Sequence, residues 1–169
     1  MRTQKRRRRE NKTDYKKRIG LLKGQRPRVV FRKTNRYIIA ECIESSGAKD
    51  KIIIGITSKA LLKHGWPEDM KGSLKSLPAS YLTGFLLGKN ILEKKVNSPI
   101  LDIGMARSIN KGRIFAFING LIDSGVKMKC KQEALPEKDR IEGKRLKKDF
   151  SGTFAKIKKS MGGEKGNEK

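Results

Sequence analysis

Arg26, Arg28, Arg32, Lys33 and Arg36 follow one another closely, with Asn35 between the last two and Tyr37 directly after them. Arginine can hold a phosphate bidentately, asparagine can hydrogen-bond a base or a ribose, and tyrosine offers a stacking face. No Asp or Glu falls anywhere between residues 15 and 40, whereas a solvated surface mixes both signs. The chemistry such a set can do is to grip a nucleic-acid backbone. The competing reading is a charged hairpin edge that blocks unwanted strand pairing. A second basic loop runs from Arg107 through Ser108, Ile109, Asn110, Lys111 and Gly112 to Arg113. It precedes a helical pattern, and helix N-terminal amides also favour phosphate. His64-Gly65-Trp66 adds an aromatic turn, in which Trp66 either stacks on a base or caps the core.

Catalytic constellations are weaker. Gly84 to Asn90, GFLLGKN, has the residues of a phosphate loop but not its spacing, because Walker A needs four residues between its glycines and Ser or Thr after Lys. It also lies inside a helical pattern, so its glycines read as close-packing positions. His64 is the sole histidine, and Cys42 and Cys130 share no short metal-binding spacing. Cys42 falls in a strand and reads as a small core residue. Glu41, Glu44, Asp102 and Asp123 are the carboxylates a two-metal nuclease would draw on. Glu41 and Glu44 face opposite sides of one strand, and no complete site assembles. The expectation is a binding protein without cofactor, metal or small-molecule substrate.

Composition points the same way. The 169 residues carry 42 Lys+Arg against 17 Asp+Glu, a formal charge of +25. Self-repulsion on that scale calls for a polyanion, and nucleic acid fits better than an anionic membrane surface. Residues 1–30 hold +11 of it, 31–126 hold +7 and 127–169 hold +7. Arg6, Arg7, Arg8 and Arg9 are consecutive, a run expected to stay extended or disordered until phosphates surround it. A nuclear-localisation or solubility tag is the plainer reading of such a run. No apolar run approaches the ~18 residues of a membrane span. The charged N-terminus lacks the apolar stretch of a secretory signal, and two unmatched cysteines suit a reducing compartment.

The elements that must position these residues are legible from periodicity. Residues 1–25 read as a basic extension, with Tyr15, Ile19 and Leu22 at the spacing of a short amphipathic helix. Residues 26–126 read as an α/β core. A strand opens after Pro27, turns at Thr34-Asn35, returns from Arg36 to Glu44, and is followed by a third strand from Lys51 to Thr57. That third strand, KIIIGIT, is apolar on both faces and so is expected to be covered on both. Ser58 is expected to cap a short helix closed by Gly65. A longer helix starts at Ser76-Leu77-Pro78, and its Gly84 and Gly88 are expected to approach a sheet. A short strand spans Pro99 to Ile103, and a last core helix starts at Asn110 or Lys111 and ends at Gly125. Three successive strands and one after a helical crossover give a mixed sheet with helices packed on it. Residues 127–169 form a basic segment. In it Leu146, Phe150, Phe154, Ile157 and Met161 mark an amphipathic helix suited to dock on RNA or a neighbouring protein, ahead of a disordered end at 162–169.

Several of these stretches, in this order, also resemble a known family. Arg6 to Ile38, His64 to Trp66, Leu77 to Lys89, Leu101 to Val126 and Leu135 to Leu146 are similar to the eighteenth universal large-subunit ribosomal protein family, in its archaeal and eukaryotic branch. The resemblance implies a three-layer α/β fold with a mixed sheet, like the ribonuclease H architecture, and no catalytic activity. It implies a structural role in the cytoplasmic ribosome: binding 5S ribosomal RNA and helping to fix the central protuberance, beside other large-subunit RNA and proteins. It directs attention to Arg6, Arg7, Arg8, Arg9, Lys12, Tyr15, Arg18, Arg28, Arg32, Lys33, Asn35 and Arg36, to which the basic loops and the aromatic turn add Arg26, Trp66, Arg107, Lys111 and Arg113. The rival classes are a non-specific architectural protein, which would not prefer folded RNA, and an RNA-processing enzyme on a similar fold, which would need a carboxylate cluster.

Overall fold

The computed structural model describes residues 3–47, 49–146 and 149–162. Two helices, α1 (Arg6–Arg9) and α2 (Tyr15–Lys23), precede the strands β1 (Arg28–Lys33), β2 (Ile38–Ser46) and β3 (Lys49–Thr57). Two 3-10 turns lead into α3 (Leu77–Glu93), then β4 (Ile100–Asp102), α4 (Arg113–Asp123), α5 (Lys138–Glu142) and α6 (Ser151–Ser160). The sheet order is β3-β2-β1-β4. β1 pairs antiparallel with β2 and parallel with β4, so the chain forms the expected mixed α/β sheet with helices on both sides.

Alternation along β1 sorts its side chains. Val29 and Phe31 face α3 and α4, where they join Ile38, Ala40, Cys42, Leu87, Ile91, Phe117 and Leu121 in one core. Arg28, Val30 and Arg32 face the opposite side, where the N-terminal segment lies. The third strand departs from expectation: β3 is an edge strand, and Ile52 stays 55% exposed. A run of β-branched residues reads alike at the edge and at the centre of a sheet, and only the topology separates them. The first hairpin also turns differently. Thr34 organises it, its hydroxyl accepting from the Tyr37 amide at 3.0 Å and donating to the Tyr37 carbonyl at 2.7 Å. Asn35 has no positive φ.

α3 is the centre of the molecule. Ser76 caps it by accepting from the Ala79 amide, and its buried residues cover most of its circumference. One side packs on α4 and the sheet. There its glycines meet a helix, not a sheet: a Cβ on Gly84 would overlap the Phe117 carbonyl, and one on Gly88 would overlap the Ser124 hydroxyl. Gly120 of α4 returns the favour, since a Cβ there would strike the Tyr81 carbonyl. The two backbones therefore cross in contact, and only glycine permits it. α4 itself begins at Arg113, a little later than the apolar pattern indicates, and ends at Asp123, with Gly125 at φ +103° turning the chain away just beyond it. Ser58 is buried inside the 3-10 turn and does not cap it; its hydroxyl links the Ile38 amide to the Leu74 carbonyl.

The other side of α3 receives the C-terminal segment. Phe150, Phe154, Ile157 and Met161 are buried against Trp66, Tyr81, Leu82 and Phe85. The expectation that this stripe docks on RNA or a neighbouring protein is therefore corrected: the chain covers it itself. Lys158 adds a polar clasp, donating to the Tyr81 hydroxyl at 2.9 Å while that hydroxyl donates to Asp123. Burial and the Asp123 carboxylate push the Tyr81 hydroxyl well above the usual tyrosine range. The expected disordered end lies, beyond Gly162, outside the described residues.

Candidate nucleic-acid interface

Strand β1 ends, β4 ends and α4 begins on the same edge of the sheet, and the turn between α5 and α6 folds over that edge. Between them lies a groove of about 970 Å³. Lys12, Arg32, Lys33, Arg107, Lys111 and Arg113 line it, joined by Arg140 and Arg145. No Asp or Glu is among its described lining residues. Gly112, the residue just before α4, supplies no side-chain cap, so the first amides of the helix remain hydrogen-bond donors at the basic groove. The loop before it is held firmly: the Lys111 amide donates to the Ala134 carbonyl at 2.8 Å, and Lys111 itself has φ +56°.

The groove thus unites residues from two widely separated basic loops with Lys12 of the N-terminal segment. It also recruits two arginines that the reading of local patterns passed over. Arg140 sits between Asp139 and Glu142, and Arg145 lies in a separate basic stretch beside Lys144; only the fold brings them across. Glu137 partly masks Arg145 and Lys111, pairing with Arg145 at 3.2 Å and with Lys111 at 3.6 Å. These are exposed pairs of small net worth, easily exchanged for phosphate.

Other sequence candidates fall elsewhere. Arg6, Arg7, Arg8 and Arg9 form one exposed helical turn, not an extended run, with Arg6 near Glu10 and Arg7 donating to Thr13. Tyr15 is half-buried beneath the Lys5 ammonium. Arg26 grips the Ser98 carbonyl and hydroxyl. Asn35 and Arg36 are exposed at the hairpin tip, outside the groove.

Two candidates are withdrawn by burial. Arg28 is 2% exposed: it donates to Asp102 at 2.8 Å and to Ser45 and Asp50 at 2.9 Å. It is a structural cation. Arg18 ties the N-terminal helix to the same group through Asp50 at 2.8 Å. Burial raises the Asp50 carboxyl, but hydrogen bonds from Ser45 and Arg18 and the charge of Arg28 outweigh it and hold the group below its ordinary value. Arg32 is the hinge between this cluster and the groove, bonding Asp102 Oδ1 at 3.0 Å and the Asp102 carbonyl at 2.8 Å while its side chain stays partly open.

Trp66 is the second. It is 3% exposed, packs on Phe150 with centroids 4.7 Å apart, and donates its indole N–H to the Met70 carbonyl. Of the two readings, core cap is the one the geometry gives. It is the only tryptophan, so intrinsic fluorescence reports it alone. Adding RNA is expected to leave its emission maximum and intensity unchanged, and strong static quenching would contradict this placement.

Among the described residues no group of three or more His, Cys, Asp or Glu side chains comes together to hold a metal ion. Asp102 is engaged by two arginines and Asp123 by Tyr81. Cys42 is buried and burial pushes its thiol up, away from nucleophilic use.

Comparison with known proteins finds similar chains. A family model for the ribosomal large subunit proteins 60S L5 and 50S L18 matches residues 1–99. The large ribosomal subunit protein uL18 of Korarchaeum cryptofilum is 45% identical over 141 residues, spanning 83% of this chain and 70% of that protein. The uL18 of Caldivirga maquilingensis is 37% identical over 142 residues, spanning 83% of this chain and 67% of its own length.

Proposed function

Because the chain belongs to the family of large ribosomal subunit proteins that includes 60S L5 and 50S L18, we propose that it binds 5S ribosomal RNA and helps to anchor it in the central protuberance. Its role in the large subunit is structural and not enzymatic. The observation that carries the RNA reading is the groove, with eight Lys and Arg side chains and no described carboxylate in its lining. A-form RNA hides its major groove from side chains, so such a surface reads backbone shape and unpaired loops. In this reading Lys33, Arg107, Lys111, Arg113, Arg140 and Arg145 hold phosphates, and Arg6 to Arg9 with Lys12 extend that grip along the strand. Arg32 contributes from its tether on Asp102. Asn35 and Arg36 at the hairpin tip reach a separate part of the RNA.

Binding of 5S RNA measured across salt concentrations tests this. Each phosphate contact adds roughly 0.7–0.9 to the slope of log K against log salt. Engagement of most of the groove therefore predicts a slope steeper than about −4. A slope near zero, or no binding at all near 0.2 M salt, would refute the proposal.

A further inference from the structure

The groove is charged at its walls but apolar at its floor. Among the described residues, six large apolar side chains remain exposed, and three of them, Met105, Ile109 and Leu146, gather here at 49%, 66% and 37% exposure. A surface made only to grip the phosphates of a duplex gains nothing from such a floor. Nor does the floor serve the fold, since Ile109 is the most exposed large apolar residue described and sits on a loop already fixed by backbone hydrogen bonds.

We propose that this floor seats an unstacked nucleobase, turned out of a single-stranded loop of the RNA, while the surrounding cations hold its flanking phosphates. The inference rests on the 5S RNA reading and deepens it. Charge complementarity selects the occupant, because an apolar protein tip would have to enter past eight Lys and Arg side chains, of which only Lys12, Arg32, Lys111 and Arg145 pair with a carboxylate among the described residues. A nucleotide instead brings one apolar face and one negative charge, matching floor and wall. Met105 supplies a soft, polarisable contact, and extruded bases pack between apolar side chains or on guanidinium planes. A volume of about 970 Å³ lies at the upper end of the ~300–1,000 Å³ typical of small-molecule sites, enough for a nucleotide and its phosphates.

The test is a Met105→Ser/Ile109→Ser variant of the full chain, titrated with intact 5S RNA and with a fully paired RNA duplex of equal length. Both side chains are exposed, so thermal unfolding should be unmoved and serves as the control for folding. Affinity for 5S RNA should fall about tenfold. The salt slope should stay unchanged because no ionic contact is lost, and duplex binding should stay as it was. Unchanged 5S affinity in the variant, with wild-type preference intact, would overturn the base seat. An equal loss on both RNAs would overturn it too. Failure of the underlying reading looks different: the wild-type chain itself would then bind 5S RNA no better than duplex.

Discussion

Changing Arg107, Arg113, Arg140 and Arg145 together to alanine should weaken binding to 5S RNA by about a hundredfold or more. The salt dependence should become shallower by roughly three in the log–log slope. All four line the groove, and each is expected to meet a phosphate. Lys111 is left in place because its left-handed backbone would confuse the result. Folding should not suffer. The chain carries +25, so removing four positive charges relieves self-repulsion, and the unfolding midpoint should hold or rise. Loss of affinity without loss of stability separates this outcome from general damage. If affinity changes less than about threefold while the slope is unaltered, the groove makes no ionic contact with the RNA and the interface lies elsewhere.

The largest stability effect is expected from Asp102→Ala. Its carboxylate accepts from buried Arg28 through Oδ2, and from Arg32 and the Gly104 amide through Oδ1. Removing it leaves a guanidinium that is 2% exposed with only Asp50 for charge compensation. Breaking such a buried pair costs about 3–5 kcal/mol, a fall in Tm of roughly 10 °C for a chain of this size. Arg28→Met should cost less. The long apolar side chain fills the space, and Asp102 keeps Arg32 and Gly104 as partners. Chemical denaturation of both variants gives the comparison, and a larger loss for Arg28→Met would reverse the assignment. Asp50 gives this cluster a pH dependence. Its carboxyl lies below the ordinary value in the folded chain, so its contribution is present above the unfolded value of about 4 and is lost as the pH falls below it. Acid should therefore weaken the attachment of the N-terminal helix, which Arg18 makes through the same carboxylate.

The parts of this architecture that were legible in the sequence are those governed by local patterns. Pro27, Ser76, Gly65 and Gly125 mark element ends because each solves a local backbone problem, and the apolar stripe of Ile114, Phe117, Ile118 and Leu121 marks the buried face of α4. What was not legible depends on partners distant in sequence. Arg28 and Arg32 are four residues apart on one strand and look alike, yet Asp102, seventy or more residues later, draws one inside and leaves the other partly open. Arg140 and Arg145 carry no local mark of membership in the groove. Met105 and Ile109 read as loop residues until their exposure is known. The C-terminal stripe holds from Phe150 to Met161, whereas Leu146 lies before α6 and stays exposed in the groove; periodicity says only that a helix has an apolar face, not where it starts or what covers it. The glycines of α3 signalled a close approach, and only the fold shows that the approaching surface is α4.

The proposed function requires recognition of folded 5S RNA, not attraction to any polyanion. Competition between 5S RNA, a length-matched RNA duplex and a DNA duplex near 0.2 M salt, where non-specific contacts fade, tests it most directly. A preference for 5S RNA of about a hundredfold or more is the expected result. Equal affinity for all three would contradict it and make the groove a generic basic surface.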